Sequence, residues 1–142
     1  MSVAEADIIG ALVALLKADA AIAVLAGDDV YGTELPQDAV KRMPQRMIVI
    51  NPSGGSSLMS GSDVDFDTQR FDLFAYGVTP RDANQLRAVA RAVLLKVQRR
   101  LINGTLIHWI NSGGGFFDAR ERDGQWPQSF QSFQVLHALK EV

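Results

Sequence analysis

The sequence predicts an α/β fold of the α+β type, with a mixed, largely antiparallel sheet and two main helices packed chiefly on one face. Three observations predict it. Residues 69–76 alternate, with Phe71, Leu73 and Ala75 on one side and Arg70 and Asp72 on the other, the period of a half-buried strand. Immediately after Gly77 and Val78, Thr79 and Pro80 open a segment whose apolar residues recur at helical spacing. A length of 142 residues is enough for one domain with a sizeable core, so residues 1–142 are read as a single domain.

The elements follow in order. Residues 3–17 carry Ile8, Ile9, Leu12, Leu15 and Leu16 at three-and-four spacing, the stripe of an amphipathic helix. Asp19 caps a second short helical piece at 20–25, which Gly27 stops. Val30 and Tyr31 form a brief strand, followed by turn residues around Leu35 and Pro36. The run Met47, Ile48, Val49, Ile50 is short, apolar and bounded by Arg46 and Asn51, as expected of a central strand. Residues 53–62 are almost all Ser and Gly and read as a long hairpin loop or tongue tipped by Leu58 and Met59.

A strand over 67–76 then leads into a helix from Pro80 to about Leu101. Its expected buried stripe is Leu86, Val89, Ala90, Val93, Leu94, Val97 and Leu101, with Arg99 and Arg100 at the negative end of the helix dipole. Strands are expected at 105–110 and 116–121, broken by Gly113, Gly114 and Gly115. Asp123-Gly124 signals a hairpin into a closing strand at 129–139, with Phe133, Val135 and His137 on one face. The predicted order is α, β, β, β, α, β, β, β.

Composition excludes several classes. Apolar residues make up 47% of the chain and the formal net charge is −2, which argues against wholesale nucleic-acid affinity. With no cysteine there is no disulfide framework, thiolate nucleophile or cysteine metal site. The apolar segment 8–16 follows Glu5 and Asp7 and precedes Lys17 and Asp19, so it reads neither as a leader nor as a membrane span.

Catalytic patterns are sparse. His108 and His137 both fall inside strand candidates, away from any metal-type spacing. Asp63, Asp65 and Asp67 share one parity, but without the EF-hand spacing a solvated arm or a charged contact surface is favoured over a cation site. The glycine clusters are not followed by phosphate-loop residues, and no nucleophile elbow surrounds any serine. The reading is therefore of a chain with no catalytic residues, no metal site and no cofactor.

Charge is more informative. Acids, among them Glu34 and Asp38, dominate the first forty residues, while the second main helix carries Arg81, Arg87, Arg91, Lys96, Arg99 and Arg100. Arg87 and Arg91 lie one turn apart, and the basic helix reads either as a solvated back or as half of a contact between an acidic and a basic surface. A head-to-tail contact of that kind gives a ring if it closes. Glu34, Asp38, Arg87 and Arg91 are the candidate subunit-interface residues.

In its sequence of pieces the chain resembles the tail-terminator, or tail-completion, proteins of long-tailed phages and gene transfer agents. The resemblance rests on the N-terminal helix with the Ala20 to Gly27 segment and on Val30-Tyr31-Gly32 leading to Leu35-Pro36. It continues through the strand at Met47–Asn51, the strand from Arg70 to Tyr76, and the Ala-rich helix that follows. It covers roughly the first hundred residues and carries no invariant signature.

The resemblance implies a structural subunit of the virion tail, assembled in the host cytoplasm into a hexameric ring. Such a ring sits at the head-proximal end of the tail tube, stops its polymerisation and meets the head connector, while DNA passes the lumen without sequence-specific binding. The expected partners are other copies of the chain, the major tail tube protein and the connector or stopper, with no membrane. Ser53, Gly54, Gly55, Leu58, Met59, Asp63 and Asp65 are the candidate contacts to tube or connector. Three other readings stand beside it: a head-closure or neck protein, a small enzyme whose groups converge only in the fold, and a nucleic-acid-binding module, which would need the Arg87–Arg91 face exposed and strong salt-dependent binding.

Overall fold

The computed structural model describes residues 6–54 and 66–138. Its elements are α1 (Ile8–Ala18), α2 (Ala20–Ala26), β1 (Val30–Gly32), α3 (Gln37–Lys41), β2 (Met47–Gly54) and β3 (Phe66–Tyr76). They continue with α4 (Pro80–Leu95), β4 (Gln98–Ile102), β5 (Thr105–Arg120) and β6 (Pro127–Ala138). Among the described residues the strands form one mixed sheet in the order β1-β2-β3-β6-β5-β4. β1 runs parallel to β2, and every other neighbouring pair is antiparallel.

Alternation along each strand decides what is buried. Ile48, Ile50, Phe71, Leu73, Ala75, Phe133 and Val135 join Leu12 and Leu16 of α1 and Leu86, Ala90 and Leu94 of α4 in the larger core cluster. Phe71 and Phe133 are cross-strand partners, their rings stacked at 5.4 Å between centroids. A smaller cluster on the other parity joins Met47, Val49 and Tyr76 to Ala39 of α3, with Tyr31, Phe74 and Trp126 against it. β2 is thus apolar on both faces, which is why its first four residues read as a continuous run.

Helix ends follow local chemistry. Asp7 caps α1 by accepting from the Gly10 N–H at 3.0 Å, so this helix starts at Ile8 rather than at residue 3. Asp19 accepts from the N–H groups of Ala21 and Ile22 to start α2, and Gly27 closes it with φ 61°. Thr79 caps α4 through the Asp82 N–H. α3 is a short helix absent from the sequence reading; it follows Pro36, which supplies no side-chain cap hydrogen bond.

Two expectations are corrected. The second main helix ends at Leu95, not near Leu101: the chain turns at Lys96, and residues 98–102 become β4, paired with β5. Asn103 and Gly104, with φ of 48° and 79°, make the tight turn between β4 and β5. The four-residue spacing of Val97 and Leu101 imitates a continuing helix, but the hairpin turn chemistry prevails. Leu101 is consequently 55% exposed, and Arg99 and Arg100 sit on a strand.

The triple glycine also does not divide two strands. β5 runs through it as a bulge, with its pairing to β6 shifting between Ser112 and Phe116. Glycines leave the ladder room to absorb the extra residues.

Gly77 holds the β3–α4 connection. A Cβ there would lie 2.5 Å from the Ala83 backbone nitrogen and 2.7 Å from the Asp82 Cβ, closer than packed atoms approach. Gly77→Ala is expected to cost about 1–3 kcal/mol in urea denaturation, the range of overpacking. Gly114→Ala, which meets nothing within 4 Å, is the matched control and should leave the midpoint nearly unchanged.

Candidate assembly surface

The two edges of the sheet differ. β4 is only five residues long, and its register with β5 extends no further than Trp109. Beyond that, the free side of β5 has no strand partner among the described residues, and residues 111–120 are all exposed. An edge of this length offers unpaired peptide groups to another chain. Phe116 and Phe117 stand on it, 49% and 55% exposed.

Phe117 also ends an apolar row that crosses the sheet. Tyr31, Val49, Phe74, Phe130 and Phe117 are successive cross-strand partners from β1 to β5. The Phe74 and Phe130 rings lie 5.2 Å apart, and those of Phe130 and Phe117 4.7 Å. The row begins beside the α3 cluster and finishes at the open edge.

On the opposite face, Arg87 is folded under β5. It is 5% exposed, its Nη1 donates to Gln131 Oε1 at 2.8 Å, and Nε and Nη2 donate to Asn84 Oδ1 at 3.1 and 2.9 Å. The Phe116 ring covers the guanidinium at 3.8 Å. Burial pulls the Arg87 pKa below its ordinary value, with the Asp118 charge opposing the shift. Arg91 is exposed one turn further along α4. The two arginines line an open groove between α4 and β5 together with Ser112, Phe116 and Gln131.

This corrects the reading of Arg87 as part of a solvated helix back, while Arg91 keeps its exposure. Ala83, Leu86, Arg87, Ala90 and Leu94 form one buried stripe of α4, and Arg87 sits in its middle, four residues after Ala83 and seven before Leu94. The spacing was there in the sequence to be read.

The far edge is built by β1 and α3. Arg42 grips Asp29 with two hydrogen bonds, at 2.8 and 3.0 Å, while the Tyr31 hydroxyl donates to Asp29 Oδ1 at 2.6 Å and Gln45 donates to Oδ2 at 2.9 Å. The Arg42 hydrogen bond, opposed by burial, holds the Asp29 carboxyl below the usual carboxylate range. The bond to Asp29 pushes the Tyr31 hydroxyl up. On this braced corner Glu34 and Asp38 are exposed. Glu34 and Asp38 therefore lie at the β1 end of the sheet, and Arg87 and Arg91 line the groove under β6 and the open half of β5.

Ser53 and Gly54 are exposed at the end of β2, where the Gly54 carbonyl accepts from Gln69 Nε2 at 2.9 Å. Gly55, Leu58, Met59, Asp63 and Asp65 lie outside the described residues. His137 is buried in β6, and His108 lines an apolar pocket with Arg99, Trp109 and Leu136, so the structure does not bring the two histidines into one cleft. Among the described residues no group of three or more His, Asp or Glu is placed to hold a metal.

With this geometry in place, comparison with known proteins gives the family. The model of the tail completion protein gp17 family matches residues 10–138, and the chain belongs to that family. No curated protein matches. Among solved structures, a chain from the virion of a native gene transfer agent particle matches with a TM-score of 0.68 and 13% identity, covering 92% of this chain and 94% of that one. At that identity the likeness is one of fold.

The Asp29 network has a pH signature. Its folded carboxyl pKa is depressed, so its contribution is present above the ordinary value of 3.8 and is lost as pH falls through the folded value. Asp29→Asn should lower the urea midpoint at neutral pH, and the gap to the parent chain should close in acid. A gap that persists below the carboxylate range would show that Asp29 acts by shape alone.

Proposed function

We propose that this member of the tail completion family is a tail terminator. In this reading copies of the chain form a ring, hexameric by resemblance, on the head-proximal end of the tail tube. The ring stops tube growth and presents a surface to the head connector. DNA passes through its lumen without sequence-specific contacts. Family membership over residues 10–138 supports a structural protein of the virion tail, a role that asks for complementary edges rather than an active site.

The observation that carries the ring is the free half of β5. A long unpaired edge bearing two half-exposed phenylalanines is a liability in a solitary soluble subunit and an asset in one that is covered on assembly. Glu34, Asp38, Arg87 and Arg91 are assigned to contacts between copies. The tongue at 53–62, with Leu58 and Met59, and the nearby Asp63 and Asp65 are assigned to the tube or the connector.

Deletion of the gene in a producing strain is expected to give overlong, headless tails in negative-stain micrographs. Tails of normal length beside detached heads would move the assignment to head closure, and intact particles would overturn both. A point variant separates assembly from folding. Phe117→Ala removes a half-exposed ring and should cost about 1–2 kcal/mol, against about 3–5 for Phe71→Ala in the core, yet it should sharply reduce finished particles.

A further inference from the structure

We propose that the groove between α4 and β5 receives the Glu34–Asp38 corner of a second copy of this chain, with a carboxylate seated on Arg87 and Arg91. The inference rests on the ring reading and names the two surfaces that meet in it.

Arg87 is the starting point. A buried cation is costly unless a negative partner offsets it. The ion pairs among the described residues are Arg42 with Asp29 and Arg46 with Asp82, and neither includes Arg87. Its hydrogen-bond partners, Asn84 and Gln131, are neutral amides, and Asp118 of the same chain acts on it through space without forming an ion pair. Those contacts use three of the five guanidinium N–H groups, so two remain for an incoming acceptor. Arg91, one turn away, adds a second positive charge that repels the first. A carboxylate entering the groove relieves both conditions at once, and it does so where Phe116 already excludes water from one face of the guanidinium.

The acid comes from the other edge. Residues 28–42 hold four acids and two bases, and Arg42 is already engaged by Asp29, leaving Glu34 and Asp38 exposed on a rigid corner. The acidic corner lies at the β1 end of the sheet and the basic groove under β6 and the open half of β5, so the corner of one copy does not fill the groove of the same copy. A contact between unlike surfaces repeats head to tail and closes into a ring when the rotation permits, which is the symmetry the terminator reading requires.

The lack of native cysteine makes a clean crosslinking test possible. Glu34→Cys is paired with Ala88→Cys, an exposed position lining the same groove, and purified particles carrying the double variant are mildly oxidised. A ladder of covalently linked copies is expected from the double variant and from neither single one. Links to a different particle protein, or no links from a chain present in particles, would overturn this inference while leaving the terminator reading intact. Absence of the chain from particles would overturn both.

A charge exchange gives a second readout. Arg91→Glu should lower particle yield on the order of tenfold or more, and adding Glu34→Arg with Asp38→Arg should restore most of it. Failure of the exchange to restore yield would contradict the pairing. Arg91→Glu that weakens only salt-sensitive retention of DNA would assign the groove to phosphates instead.

Discussion

The ladder between β3 and β6 is the constraint on which the rest of the molecule depends. It runs without a register break from Phe66 opposite Ala138 to Tyr76 opposite Gln128, and it sets Phe71 on Phe133 at the centre of the core. Because a slip of one residue would turn every side chain to the wrong face, this register fixes both layers at once. One parity gives the surface on which α1 and α4 bury their leucines; the other gives Phe74 and Phe130 to the row that ends at Phe117. Gln131, which holds Arg87, belongs to the same strand as Phe130 and Phe133.

From that centre the sheet grows differently in two directions. Toward β1 it ends in a parallel strand of three residues, beside which Ala39 of α3 packs on the sheet face and Asp29, Arg42 and Tyr31 form a network. Toward β5 it ends in a strand whose outer half is left open by the short β4. A subunit with one very short edge and one long open edge is polar in the sense needed for head-to-tail assembly. The charges follow the same polarity, with Glu34 and Asp38 near the short edge and Arg91 in the groove beside the open half of β5.

Much of this was legible in the sequence, for physical reasons that can be named. Alternation around Phe71 and Phe133, the Asp19 and Thr79 caps and the apolar run at Met47 each follow from a strong local signal. The end of α4 was hidden because Val97 and Leu101 keep helical spacing into what is β4, although Asn103-Gly104 carried the opposing hairpin signal. α3 is too short to show a period. The glycines at 113–115 look like a break because flexibility and bulging have the same composition.

The candidate assembly surface was less legible. Arg87 reads as a surface charge by residue type and as a core position by spacing, and only its bonds to Gln131 and Asn84 resolve the two. Phe116 and Phe117 read as ordinary strand residues, since exposure of an edge depends on where β4 stops, a property of the whole sheet. The most direct measurement is a side-chain-resolution reconstruction of the head–tail junction in purified particles. The account predicts a closed ring of this chain between tube and connector, with the outer half of β5 and the Arg87 groove of each copy covered by its neighbour. A ring in which that edge faces solvent, or a junction without this chain, would contradict it.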